Sequence, residues 1–257
     1  GVGDMSGDVF GNGMLLSPVI RLVAAFDHRH IFVDPDPDPA KSFAERHRLF
    51  HAGRTSWDDY DRNAMSEGSF IVPRGSKEVA LTPQAKSALG IDPEVASMDG
   101  ESLIRAILMA PVDLLWNGGI GTYVKASHET HPEVGESADD AVRIDATQLR
   151  ARVIGEGGNL GFTQAARVQA AQHGVRLNTD ALDNSGGVDM SDHEVNLKIL
   201  LSHAVNRGAL SPDERNTLLE ELTPDVTELV LADNRSQSLA VSRDQQRAAD
   251  SIEDFKA

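Results

Sequence analysis

The chain has 257 residues, enough for one large domain or two modest ones, and its 40% hydrophobic and 25% charged residues are ordinary for a globular protein. Its 24 basic against 40 acidic residues give a formal charge of −16, which argues against a nucleic-acid partner, since such partners need a basic patch. No apolar run is long enough to span a membrane, and the absence of cysteine excludes disulfides and thiolate metal centres and fits a reducing, cytoplasmic location.

The chain opens on a glycine turn, Gly1-Val2-Gly3-Asp4-Met5-Ser6-Gly7. Such a turn ordinarily follows a buried strand, so the sequence reads as a fragment that lacks its first strand. Asp8 to Ser17 can form a short helix, weakened by Gly11 and Gly13. Ile20 to Phe26 is an apolar run that reads as a buried strand ending at Asp27. The alternating Asp-Pro stretch 34–39 is a stiff connector that caps a helix starting near Ala40, patterned on Phe43, Arg46, His47 and Phe50. Residues 53–100 form a loop-rich insertion in which Thr82-Pro83 marks a helix start.

A helix is expected over Ser102–Met109, then a strand over Val112–Trp116 that runs into Asn117-Gly118-Gly119. The polar segment 128–140 reads as an exposed excursion, and Lys125 as a solvated lysine. A strand at Arg152–Gly155 leads to Glu156-Gly157-Gly158-Asn159. An alanine-rich helix then runs from Thr163 to His173 and stops at Gly174. A strand is expected at Val175–Asn178, the loop Asn184-Ser185-Gly186-Gly187 follows, and a helix runs from about Asp192 to Asn206. Everything beyond Ser211 is helical in pattern, and the part from Pro224 onward reads as packing or subunit contact.

Strands alternating with helices predict an α/β fold: a Rossmann-like doubly wound parallel sheet with a helical C-terminal part. The division expected is a dinucleotide-binding domain at 1–206 and a helical segment at 207–257.

Gly1, Gly3 and Gly7 allow backbone amides to approach a phosphate, although their G-x-G-x-x-x-G spacing is also that of a merely tight turn. Asp27, twenty positions after Gly7, can accept hydrogen bonds from adenosine ribose hydroxyls and would repel a 2′-phosphate, which favours NAD over NADP. His28 and His30 follow it. With no convergent carboxylate set evident in the sequence, they are read as solvent-facing or packing residues, and no metal is expected. The asparagines of the three downstream glycine loops can donate and accept at once, which suits ribose hydroxyls and a carboxamide.

Glu156-Gly157-Gly158-Asn159, then Thr163, Ala165 and Gly174-Val175, then Asn184-Ser185-Gly186-Gly187-Val188, is similar to the amino-acid dehydrogenase pattern E-G-A-N, G-V, N-A-G-G-V. The wording from Gly1 through Asp192-His193-Glu194-Val195-Asn196 most resembles the large NAD-specific glutamate dehydrogenases of bacteria, over most of the stretch from Gly1 to Leu222. Gly158 and Ser185, alanine in the shorter hexameric enzymes, and the long 53–100 insertion favour the large type.

The resemblance implies NAD as cofactor and, for the full-length homo-oligomeric enzyme, L-glutamate and 2-oxoglutarate as substrate and product. The cofactor-binding set is Gly1, Gly3, Met5, Ser6, Gly7, Asp27, Asn117, Gly118, Asn159 and Asn184. Within it the resemblance places Asn159 near the nicotinamide ribose and Asn184 near the carboxamide. The family's catalytic lysine and aspartate precede the glycine turn, so no catalytic residue is assigned in this chain. Another amino-acid dehydrogenase (for leucine, valine or phenylalanine) and a non-catalytic dinucleotide-binding module remain as alternatives.

Overall fold

Local capping chemistry sets the helix starts. Asp38 accepts from the Lys41 amide and Pro39 occupies the first helical position; Thr82 with Pro83, and Thr163 ahead of Gln164, do the same. The computed structural model describes residues 1–253 and 256 in full and the backbone of 254 and 255. In chain order the elements are α1 (Asp8–Leu15), β1 (Ala24–Phe26), β2 (His30–Val33), α2 (Pro39–Ala52), β3 (Phe70–Pro73), β4 (Val79–Ala80), α3 (Pro83–Leu89), β5 (Ser97–Met98) and α4 (Gly100–Leu108). They continue as β6 (Leu114–Asn117), β7 (Val124–Lys125), α5 (His131–Val134), β8 (Ile144–Asp145), β9 (Val153–Glu156), α6 (Gln164–Gln172), α7 (Asp180–Asp183), α8 (Ser185–Asn206), α9 (Pro212–Asp250) and α10 (Ile252–Lys256).

The first of two compact units, Gly1–Asp180, is mixed α/β. β6 pairs with β9 in parallel, and Val2 makes parallel bridges to Phe26 on one side and Asn117 on the other. Beyond β9, Arg176 forms a parallel bridge to Val153. The other flank departs from the all-parallel expectation: β1 pairs antiparallel with β2, and β2 with β3. Only three residues, His28 among them, separate β1 from β2, too few for the crossover that a parallel pair needs.

The Ile20 run forms a strand only from Ala24, and Val19 to Val23 border a cavity of about 560 Å³ shared with Leu114, Leu115 and Trp116. The expected strand at 175–178 reduces to its single bridge. The buried residues of α2 are Ser42, Glu45, Arg46 and Leu49; of the expected pattern Arg46 is buried, Phe43 and Phe50 are half-buried and His47 is exposed, and the Tyr60 hydroxyl lies 3.3 Å from Ser42 Oγ.

Lys125, expected to be solvated, is interior, whereas the 128–140 excursion is largely exposed as expected, with Asp139 buried. Lys125 is buried on β7 and ion-paired with Asp145, which β7–β8 pairing brings alongside it. The 128–140 excursion wraps the fully buried Arg143, which pairs with Glu136 at 2.9 Å and with Asp140 and donates to the Thr122 carbonyl at 2.7 Å.

The second unit, Ala181–Ala257, is helical, with α8 packed along α9. The sequence expectation drew its division at 206, whereas the compact units divide after Asp180. Asn234 of α9 donates to the Leu182 carbonyl at 3.2 Å and to Ser185 Oγ at 2.8 Å, which ties the start of α8 into this unit. α8 begins at Ser185, so Gly186 and Gly187 lie in its first turn and not in a loop after a strand. Among the described residues, no helix is long and apolar enough to cross a membrane.

Candidate functional site

The carboxyl ends of β1, the Val2 bridge, β6 and β9 lie side by side, so the segments that follow them line one edge of the sheet. Gly3 N–H donates to the Phe26 carbonyl at 2.8 Å, Gly118 N–H to Val2 at 2.9 Å, and Gly157 N–H to Asn117 at 2.9 Å. Gly3 has φ +132°, and a Cβ there would meet Phe10 of α1 at 2.8 Å, so both conformation and packing require glycine. A Cβ at Gly1 would meet Phe10 at 2.6 Å. These absent side chains let α1 sit hard against the turn. Trp57 Nε1 fixes the turn by donating to the Gly3 carbonyl at 3.0 Å. Met5 is buried beside Phe10 and Trp57, and Ser6 Oγ donates to the Thr55 carbonyl.

Asp27 projects from the end of β1 and is only 7% exposed. Its Oδ1 accepts from the Arg29 and His30 amides at 2.7 and 2.6 Å, while its Oδ2 is buried with no hydrogen-bond partner. A lone acceptor in that position costs free energy unless something polar reaches it. Asn117, at the end of β6, is likewise buried with its Oδ1 unpartnered, and a Cβ at Gly161 would collide with its Nδ2.

Gly118 and Gly157 serve packing as much as access, since a Cβ at either would strike the Trp116 indole, at 2.8 and 2.7 Å. Asn159 is exposed at the tip of the loop after β9, whereas Asn184 opens α8 in the second unit and is not at a strand end.

The role of Asp4 was not legible in the sequence. Its Oδ1 accepts from the Ser6 and Gly7 amides at 2.7 and 3.0 Å, taking two of the donors the glycine turn offers. The turn also brings carboxylate oxygens of Asp4 and Asp27 and a ring nitrogen of His28 within 4.8 Å of one another.

A buried ionic network holds the loop after β9. Glu156 meets Arg167 through two contacts, Nε–Oε2 at 2.8 Å and Nη2–Oε1 at 2.9 Å, and Arg167 reaches Asp180 at 3.1 Å. Asp180 also accepts from the Leu160 amide and Glu156 from that of Phe162, so the network grips both sides of the turn where Leu160 has φ +63°. Burial pushes the Glu156 carboxyl above its ordinary value, and Arg167 acts against this. The loop after β6 is held similarly. Asp139, raised by burial, pairs with Arg74 at 2.9 Å, and burial pushes Tyr123 up to about 12 while its hydroxyl donates to the Ile120 carbonyl.

A family described as bacterial NAD-glutamate dehydrogenase, catalytic domain, matches residues 1–244. The chain belongs to this family. Proteins named NAD-specific glutamate dehydrogenase are similar to it: that of Mycobacterium tuberculosis is 59% identical over 242 residues, 93% of this chain and 15% of the relative. That of Halomonas elongata is 58% identical over 241 residues (94% and 15%), and that of Pseudomonas aeruginosa 54% over 256 residues (100% and 16%). The chain thus spans about 15% of the length of the curated relatives it matches.

Proposed function

We propose that this chain is the dinucleotide-binding part of an NAD-dependent glutamate dehydrogenase, which deaminates L-glutamate oxidatively to 2-oxoglutarate and ammonia. The observation that carries the reading is the buried, half-unpartnered Asp27 carboxylate beside a glycine turn at the carboxyl end of β1. The parallel arrangement β1, Val2, β6, β9 supports a Rossmann-like core. The chain passes from Val2 to β1 on one side and later to β6 on the other, and doubly wound sheets bind ligands at such a reversal. The names of the relatives support NAD and glutamate.

In this reading NAD supplies the hydride acceptor, and the residues of the chain hold and orient it. Asp27 Oδ2 accepts from the adenosine ribose, its charge disfavours a 2′-phosphate, and the Gly3–Gly7 turn receives the pyrophosphate once Asp4 releases the two amides it holds. Gly118 and Asn117 line the adjoining strand end. The roles of Asn159 and Asn184 and homo-oligomeric assembly rest on the family resemblance, the cofactor-domain limit at 206 on the pattern of strands and helices, and a cytoplasmic location is compatible with a chain that carries no cysteine.

Asp27→Ala in the intact enzyme is expected to weaken NAD binding by about 1.5–3 kcal/mol, roughly ten- to hundredfold, and to narrow the preference for NAD over NADP. Asp27→Asn, which keeps an acceptor for the Arg29 and His30 amides, should narrow the preference with the turn intact. Unaltered NAD affinity and NADP discrimination in both variants would refute the assignment. Asn184→Ala should lower turnover about a hundredfold while leaving the unfolding midpoint nearly unchanged, because misplaced hydride geometry is costly. Normal kinetics would make Asn184 a helix-start residue only.

A further inference from the structure

We infer that Asp4, Asp27 and His28 form a binding site for a divalent transition-metal ion, and that this ion and the dinucleotide exclude one another. One ligand atom from each residue lies within 4.8 Å of the other two, close enough for a single ion to bridge them after small side-chain adjustments. A ring nitrogen with two carboxylate oxygens is a donor set that zinc accepts, and three protein ligands leave a coordination position for water.

Charge gives an independent reason. Asp4 and Asp27 are held by backbone amides, and neither carboxylate forms an ion pair among the described residues. Two carboxylates this close repel each other, and Asp27 Oδ2 is buried with no donor at all. Two other buried carboxylates of the first unit are balanced by arginine, Glu156 with Arg167 and Asp139 with Arg74. A cation between Asp4 and Asp27 supplies the compensation that no side chain provides. His28 is exposed and borders the pair from the solvent side, where an ion would enter.

Exclusion follows from shared atoms. The metal takes the Asp27 carboxylate that the ribose would use, and it holds Asp4 in place over the Ser6 and Gly7 amides. The exclusion rests on the cofactor reading of Asp27, whereas the metal site does not.

The test uses zinc alone and the intact enzyme. After equilibrium dialysis against micromolar zinc, the wild type is expected to hold one more ion per chain than His28→Gln, whose affinity at this site should fall about tenfold or more. His28→Asp should restore binding with a preference shifted toward manganese, since it replaces nitrogen by oxygen. Zinc should raise KM for NAD in the wild type without lowering kcat, and His28→Gln should resist this. Saturating NADH should bring the zinc content of the wild type down to that of the variant. Equal zinc contents in wild type and His28→Gln would overturn the site, and zinc retained alongside bound NADH would overturn the exclusion. If Asp27→Ala and Asp27→Asn both leave NAD affinity and NADP discrimination unaltered, the cofactor reading fails on its own, and the zinc difference still decides the metal site.

Discussion

Arg167→Ala is expected to destabilise the first unit by about 3–5 kcal/mol, the cost typical of leaving one partner of a buried ion pair without the other. Arg167 is 7% and Glu156 1% exposed at the side chain, so water cannot take over the lost contacts. Asp180 loses its cation as well, and with it goes the clamp on both the Leu160 and Phe162 amides.

The loss should depend on pH in a definite sense. Burial already raises the Glu156 carboxyl above the ordinary 4.5 of a glutamate, and removing the arginine raises it further. Below the unfolded value both states carry the proton, and the charge costs nothing. As pH rises through the window up to the folded value, the folded state holds its proton longer than the unfolded state, and stability is lost. The gap between wild type and variant should therefore be small in acid and widen from about pH 4.5 upward. Adding Glu156→Gln to Arg167→Ala should recover most of the loss at neutral pH, because the amide fills the same space without a charge. Chemical denaturation of the four proteins of this cycle at acid and neutral pH gives the answer. An additive double mutant, or a loss independent of pH, would show that the pair does not act as an isolated buried charge couple.

How far the sequence could be read follows the range of the interactions. The starts of α2, α3 and α6 were legible because a cap and its amide lie within three residues of each other. The position of Asp27 directly after a strand was legible for a similar reason, since an apolar run and the residue that ends it are local signals. The partners of Lys125 and Arg167 were not, since Asp145 and Glu156 reach them only through β7–β8 pairing and through the fold of α6 back over β9. β2 was missed because its four residues carry no turn signature strong enough to separate them from the proline connector, and its status comes from pairing with β1 and the distant β3. Gly186-Gly187 was read as a loop on propensity. In the structure the Asn234 contacts and the packing of α9 outweigh that local cost, which is about 1 kcal/mol per glycine. Within the candidate site, the carboxylate of Asp4 was invisible in the same way, since its hold on the Ser6 and Gly7 amides exists only once the turn has closed.

The 257-residue chain produced alone is expected to unfold at low temperature and to form no NADH from glutamate. Between β1 and β6, Val2 is the one residue that bridges both strands among the described residues, while the facing edges below it border the 560 Å³ cavity. Leu114 stands 47% exposed there and Val19 73%. This slot between β1 and β6 leaves apolar side chains open to solvent at a place where parallel sheets are normally covered. Adding an apolar, β-branched segment of about five residues ahead of Gly1 should therefore raise the unfolding midpoint markedly. Each side chain it buries contributes roughly 1.5–3 kcal/mol, and a few of them rival the 5–15 kcal/mol of a whole domain. The extension should also improve NADH binding by steadying the Gly1–Gly7 turn, yet it should not confer turnover, because on the family resemblance the proton-transferring residues lie in another part of the enzyme. Thermal unfolding, NADH titration and a glutamate assay on the two proteins separate these effects. An unextended chain that melts cooperatively at the same temperature as the extended one would show that the slot is not a strand site. Glutamate oxidation by either protein would place the catalytic groups inside these 257 residues after all.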